Sequence, residues 1–247
     1  MKTLYLDIET SPMDIKTWGV WEQNALKIEN EWVILGMSYA WDDGKPKLIY
    51  PDDIVAAKFL EHRNAVEATI LGRIWTLLDE ADLVIGHNSD KFDLKKINAR
   101  LVRAGYGPPS PYLTVDTLKV ARQRFAFTKN SLDYLGQYLG VGGKLKHTGL
   151  QLWLDCVNGD PKAWKLMKKY NKQDVILQRD VYKRLLPWIN GHPHMGGEGC
   201  PICGSLDSQR RGNRTMKSGI KYVQHQCNDC GSYYRDRKAE SSPSKRV

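Results

Sequence analysis

Two hydrophobic periods share this chain, and the places where one gives way to the other mark its elements. Residues 3–8 alternate, with Leu4, Leu6 and Ile8 on one face and Asp7 and Glu9 opposite, which is the period of a strand. Residues 32–41 and 46–50 read as two further strands joined by Asp42-Asp43-Gly44-Lys45, a hairpin-turn sequence. Between them and the first strand lies a loop carrying Trp18 and Trp21. From residue 64 to 80, Val66, Ile70, Ile74, Leu77 and Leu78 recur at helical spacing. Residues 82–86 form a short buried strand, and 93–105 a helix ending at glycine. The stretch Gly107-Pro108-Pro109-Ser110-Pro111 is a rigid loop into a strand at 112–115. Helical patterns then dominate over 117–125, 131–139 and 161–189. Strands first and helices later predict an α/β fold, a mixed sheet flanked by helices.

The long helical pattern stops near Pro187, and residues 191–198 read as a linker, so residues 1–190 form one expected domain. A cysteine-rich module follows at 199–235, and residues 236–247 are a basic, polar tail expected to be disordered. No apolar run is long enough to span a bilayer and no signal-peptide pattern opens the chain, which implies a cytoplasmic protein with no membrane partner. The net charge of +9 is uneven, and more than half of the excess falls after residue 190. Such an excess favours a polyanion, of which nucleic acid is the commonest.

Four acids change the picture from fold to chemistry. Asp7 and Glu9 stand two apart on a strand, so their side chains share a face. Asp174 follows Tyr170 by four residues in the long helical pattern, which puts phenol and carboxylate on one helical face. With Asp93, these carboxylates suit a pair of divalent cations and two-metal phosphodiester hydrolysis. Asp90 reads as a loop acid, Asp116 as a helix cap, and His87 as a core or supporting residue.

The runs LDIET, GHNSDKFD and YNKQD resemble, in order, the three motifs of the DEDD, or DnaQ-like, 3′–5′ exonuclease superfamily. The third has the tyrosine form, Tyr-x-x-x-Asp, and Lys169 stands where the histidine form carries its histidine, so the resemblance points to the DEDDy branch. It covers roughly residues 1–190 and implies an RNase H-like fold. It further implies Asp7, Glu9, Asp93 and Asp174 as ligands of two Mg²⁺ or Mn²⁺, and Tyr170 as the group orienting the attacking water. Thr10 and Ser11 would contact the terminal nucleotide, and Asn88 would support the site. The loop at 142–148, with Lys144 and Lys146, either neutralises backbone phosphates or is simply solvated. Trp18 and Trp21 either stack on unpaired bases or pack into the core.

Cys200-x-x-Cys203-Gly and Cys227-x-x-Cys230-Gly are two knuckles whose spacing suits one tetrahedral structural Zn²⁺, and the module resembles a zinc ribbon. Disulfides are the alternative, disfavoured in the expected compartment. Cys156, among aliphatic neighbours, is expected to be buried. Arg210, Arg211, Arg214, Lys217 and Lys221 make a basic strip on the module, expected to grip nucleic acid; docking of a polymerase or replisome protein is the alternative. The expected activity is a 3′–5′ exonuclease acting on DNA and releasing nucleoside 5′-monophosphates, possessed of no polymerase domain of its own and suited to a phage, in which case the location is the host cytoplasm. An RNA 3′–5′ exonuclease of RNase D-like type and an inactive nucleic-acid-binding module are the rival readings.

Overall fold

Strand β1 (Thr3–Thr10) is the middle of the main sheet, and the segment after it departs from the expected loop. In the computed structural model, which describes residues 1–21, 24–189, 191–193 and 199–236, a two-stranded hairpin rises from residues 14–30, formed by β2 (Asp14–Lys16) and β3 (Lys27–Asn30). Both strands are largely exposed, so no alternation of apolar residues announces them. A Ser11–Val33 backbone pair (2.9 Å) closes its neck, and Arg63 holds Asp14 at 2.7 Å.

The chain returns through β4 (Ile34–Trp41) and β5 (Lys47–Ile49), then α1 (Asp53–Ala56), α2 (Phe59–Asp79), β6 (Leu83–Gly86), α3 (Asp93–Arg103) and β7 (Leu113–Asp116). Helices α4 (Thr117–Arg124), α5 (Leu132–Tyr138), α6 (Leu150–Val157) and α7 (Pro161–Leu185) follow, with a 3₁₀ turn at Leu186–Trp188. The sheet runs β5-β4-β1-β6-β7: β4 lies antiparallel to β1, whereas β6 and β7 run parallel. This is the expected mixed α/β architecture of RNase H-like type.

Two apolar layers sandwich the sheet. Leu4, Leu6 and Ile8 pack on Ile70, Ile74 and Leu78 of α2 and Ile97 and Leu101 of α3. On the other face Tyr5, Leu83 and Ile85 meet Val120 of α4, Leu135 of α5 and Val175, Val181 and Leu185 of α7. Helix α2 starts five residues before its predicted apolar repeat because a kink at His62 (φ −133°, ψ 40°) joins a first turn, anchored by the buried Phe59, to the periodic part. The predicted helix over 161–189 stops at Leu185 because Pro187 cannot extend it, and the turn tightens to 3₁₀. A buried pair, Glu67 with Arg100, ties α2 to α3, and the same carboxylate accepts from the Ile34 N–H at 2.7 Å. The charge is therefore both paired and hydrogen-bonded, as burial demands.

The C-terminal part folds as a small sheet, β10-β9-β8, from β8 (Ser208–Thr215), β9 (Lys221–Cys227) and β10 (Tyr233–Arg235). Among the described residues its apolar centre is Cys200, Ile202 and Cys227, with Cys230, Tyr234 and Leu186 against them. Residues 194–198 of the expected linker and 237–247 of the expected tail lie outside the described residues. Among the described residues no helix is long and apolar enough to cross a membrane.

Candidate active site

The site grows where the sheet splits. Strand β1 pairs with β6 only from Thr3 to Tyr5, while its pairing with β4 continues to Thr10. Past Tyr5, backbone groups on the β6 side need other partners. Gln178 of α7 spans the gap, donating to Leu6 O (3.1 Å) and Ile85 O (2.9 Å). Asn171 donates to Asp7 O at 3.1 Å, and the Ile8 N–H donates to Asp93 Oδ1 at 3.0 Å. Helices α7 and α3 are thereby locked onto the strand that carries Asp7 and Glu9.

Asp7, Glu9 and Asp174 each bring a carboxylate oxygen within 4.8 Å of the others. Asp93, at the first turn of α3, is not one of that group of three, but it is the charge that most raises Asp7. Each acid has one oxygen committed to a donor. Asp7 Oδ2 accepts from Asn171 (2.6 Å), Glu9 Oε2 from Trp153 Nε1 (3.1 Å), Asp93 Oδ1 from Ile8, and Asp174 Oδ2 from Lys144 Nζ (2.6 Å). The second oxygen of Asp174, Oδ1, is buried with no hydrogen-bond partner. A buried carboxylate oxygen without a partner is costly. A set of hard oxygen donors, each oriented by one bond and otherwise open, fits divalent cations of the Mg²⁺ or Mn²⁺ kind.

The electrostatics carry the same imprint. Burial, then repulsion from Asp93, Glu9 and Asp174, holds the Asp7 carboxyl well above its usual range. Burial and Asp174 push Glu9 up to about 8, and burial raises Asp93 to about 6 against the pull of the Ile8 N–H. Asp174 is raised by burial and relieved by Lys144. The cluster is short of positive charge.

Lys144 supplies part of it. Its ammonium bonds Asp174 and the Tyr170 hydroxyl (2.9 Å), and these two outweigh the effect of burial, so its pKa is raised. The loop that presents it is pinned by the Lys144 N–H on Asp133 Oδ1 (2.8 Å). Neither sequence expectation for this loop described that placement: Lys144 turns inward to the carboxylates, while Lys146 is exposed. Tyr170 is buried against the rings of His147 (4.7 Å) and Trp153 (6.0 Å), and burial followed by Asp174 raises its pKa, so the phenol stays protonated.

Around this centre the remaining residues sort by contact. Asn88 adopts φ +70°, the left-handed turn that asparagine tolerates, and its N–H donates to Asp116 Oδ1 (2.8 Å). Asp116 caps α4 through Leu118 N (3.0 Å), and Asp90 pairs with Lys119 (2.6 Å) at the surface. Thr10 Oγ1 accepts from Lys96 Nζ (3.2 Å), close to the carboxylates. Ser11 is turned away: its side chain is buried and accepts from the Val33 N–H (3.1 Å), so it fastens the hairpin neck. His87 sits between Thr117 Oγ1 and Asn130 O, both at 2.9 Å.

Burial, partly offset by the Asn130 carbonyl, lowers the His87 pKa to about 4, so the folded chain holds it neutral. The unfolded chain binds that proton from about pH 6.5 downward, so His87 penalises the fold as pH falls from there and the penalty saturates below about 4. It amounts to at most about 3 kcal/mol. His87→Gln should flatten the acid limb of a melting-temperature profile in that window; an acid limb identical to wild type would refute this assignment.

The four cysteines bring their sulfurs within 4.8 Å of one another, with Cys200–Cys230 and Cys203–Cys227 at 3.6 Å, and all are free thiols. Four sulfurs each about 2.3 Å from a central ion lie roughly 3.8 Å apart, so the cluster has the size of a tetrahedral metal shell. Cys156 is fully buried in α6. On the neighbouring sheet Arg210, Arg211 and Arg214 lie on the exposed strand β8. Trp18 and Trp21 are 85% and 94% exposed on the hairpin, so neither packs into the core.

Two residues of this site escaped the sequence reading, Trp153 and Asn171, whereas His147 lies in the 142–148 loop that it had singled out. Only Asn171 left a trace, lying three residues before Asp174 on the same helix. A family model described as the RNase H superfamily matches residues 4–186. Two proteins of Arabidopsis thaliana, Protein NEN2 and Protein NEN3, are similar at 31% identity over 91 residues and 30% over 94. These matches cover 36% and 37% of this chain and only 17% of each relative. The backbone also resembles the family B DNA polymerase of the hyperthermophilic archaeon Pyrobaculum calidifontis, with a TM-score of 0.56 and 17% identity over 76% of this chain and 25% of that one, a likeness of fold.

Proposed function

The chain belongs to the RNase H superfamily, and from that membership and the carboxylate geometry we propose that it is a DEDDy-type 3′–5′ exonuclease with a C-terminal zinc ribbon, acting on DNA and releasing nucleoside 5′-monophosphates. The observation that carries this reading is the partnerless buried oxygen of Asp174 among three further acids, each oriented by a single donor. Asp7, Glu9, Asp93 and Asp174 would hold two divalent cations, which when bound would supply water activation and charge neutralisation at the leaving oxygen. Tyr170, kept protonated, orients the attacking water through its hydroxyl. Lys144 is the site's own cation and can meet the phosphate that arrives between Asp174 and Tyr170. Thr10, Lys96 and Asn88 border the place where the terminal nucleotide would sit.

The domain plan follows: nuclease at residues 1–190, ribbon at 199–235 with one structural Zn²⁺ on Cys200, Cys203, Cys227 and Cys230, and Arg210, Arg211 and Arg214 as its grip on the strand. A polymerase or replisome protein as a second partner of the ribbon remains part of this proposal.

The test is one gel with 5′-labelled single- and double-stranded DNA and RNA, with and without Mg²⁺, beside 3′-blocked and circular controls. Stepwise Mg²⁺-dependent shortening from free 3′ ends of DNA is expected. No metal-dependent shortening of any polymer overturns the reading; equal cutting of circles makes the enzyme an endonuclease, and RNA alone shortened transfers the activity to RNA. On single strands, Trp18→Ala with Trp21→Ala should raise KM about tenfold, since base–indole stacking is worth roughly 1–3 kcal/mol per base. The melting temperature should not move, because neither ring is packed.

A further inference from the structure

The two side-chain amides of α7 that reach β1 do different things. Gln178 bonds only main-chain carbonyls, Leu6 O and Ile85 O, and so fastens the helix to the sheet. Asn171 is buried completely and divides its amide between the Asp7 main chain (3.1 Å) and the Asp7 carboxylate (2.6 Å). The Asp7 main-chain oxygen can only accept, which settles which end of the amide faces Asp7 and leaves Asn171 Oδ1 to accept from the Tyr50 hydroxyl at 3.1 Å. Tyr50 in turn lies across β4 only because residue 36, paired with Glu9 in the sheet, is glycine: a Cβ there would come 2.5 Å from the Tyr50 ring. The line Gly36–Tyr50–Asn171–Asp7 is thus a built chain of contacts with one outlet, the carboxylate.

We propose that Asn171, oriented by Tyr50, is a positioning residue that latches Asp7 Oδ2 and so aims Asp7 Oδ1 at the cation site. This rests on the metal-centre reading above. A neutral amide suits that role, because it fixes the carboxylate's rotation with a short bond and leaves its negative charge for the cation. A lysine or arginine at that place would neutralise Asp7 and compete. Lys144 contacts Asp174 and Tyr170, so it does not duplicate the latch.

Outer contacts of this kind are typically worth about 10–100-fold in metal affinity. The experiment is a Mn²⁺ titration of the full chain, zinc retained, following free Mn²⁺ by electron paramagnetic resonance, with a thermal melt of each variant. Asn171→Ala should bind Mn²⁺ about 10–100-fold more weakly than wild type, and Tyr50→Phe several-fold more weakly. Gln178→Met should lower the melting temperature and leave the Mn²⁺ affinity within twofold, which separates the latch from mere helix docking. Unchanged Mn²⁺ affinity in Asn171→Ala, or in Tyr50→Phe should the alanine variant not fold, overturns the latch. Wild type that binds no Mn²⁺ at millimolar concentration overturns the metal-centre reading instead, so the two failures are distinct.

Discussion

Asp7→Asn is expected to abolish nuclease activity while making the metal-free protein more stable. The substitution keeps the shape and an oxygen that can still accept from Asn171, and removes one negative charge. Loss of one ligand of a two-metal centre should cost on the order of 10³-fold or more in rate, about 4 kcal/mol of transition-state stabilisation. The stability effect has the opposite sign. Asp7 is desolvated and repelled by Asp93, Glu9 and Asp174, so its charge opposes folding until cations arrive.

The pH dependence arises from the same shifts. Glu9 at about 8 and Asp93 at about 6 lie above their ordinary values, so the folded chain holds protons that the unfolded chain has released. Without Mg²⁺ or Mn²⁺, stability should therefore fall as pH rises from about 4 through 8. Asp7→Asn should make that fall shallower, because it removes Asp7 itself, a carboxyl that burial and the neighbouring acids hold well above its usual range. Melts in buffers freed of Mg²⁺ and Mn²⁺, but not stripped of zinc, would record it beside gel assays of the same samples. Wild-type rates, or a lower metal-free melting temperature, would defeat the assignment of Asp7.

The amino-acid order revealed as much of this site as local periodicity can carry. Asp7 and Glu9 were legible because strand neighbours at i and i+2 share a face, and Tyr170 with Asp174 because helix neighbours at i and i+4 do. Asp116 was separated by its place between a strand and a helix, and it caps α4. Trp153 had no such marker: it reaches Glu9 across 144 residues of sequence, from a helix too short for its apolar spacing to stand out. Lys144 read as a residue of a glycine-rich basic loop, either on backbone phosphates or solvated, and only the folded loop turns it onto Asp174. Ser11 sits beside the first acidic motif in sequence, but the strand alternation past the Glu9/Thr10 bulge sends it into the hairpin neck. Exposed strands β2 and β3 bury nothing, so they wrote no pattern at all.

The second large effect concerns the cysteines. Among the described residues, the apolar cluster of the C-terminal sheet buries Cys200, Ile202 and Cys227, helped by Cys230, Tyr234 and Leu186. A unit of about forty residues with so little apolar area does not fold on hydrophobic burial alone. Structural zinc contributes roughly 10–16 kcal/mol of apparent binding free energy in small zinc-binding units, and zinc on the four proposed cysteines would supply it here as folding free energy. Elemental analysis should find one zinc per chain in the wild type and none in Cys203→Ser, whose ribbon should melt while the nuclease sheet persists. With the ribbon go Arg210, Arg211 and Arg214 on β8. Each phosphate that they no longer neutralise should flatten the slope of log affinity against log salt by about 0.7 for single strands. Affinity for a long single strand should fall about 10–100-fold at low salt. Hydrolysis of a small phosphodiester such as thymidine 5′-monophosphate p-nitrophenyl ester should continue, because the carboxylates draw their donors from Ile8, Lys144, Trp153 and Asn171, all in the other part of the chain. Retained zinc with undiminished strand affinity would defeat the ribbon's assignment. Loss of small-substrate turnover with the nuclease sheet still folded would mean that the ribbon helps to build the catalytic site.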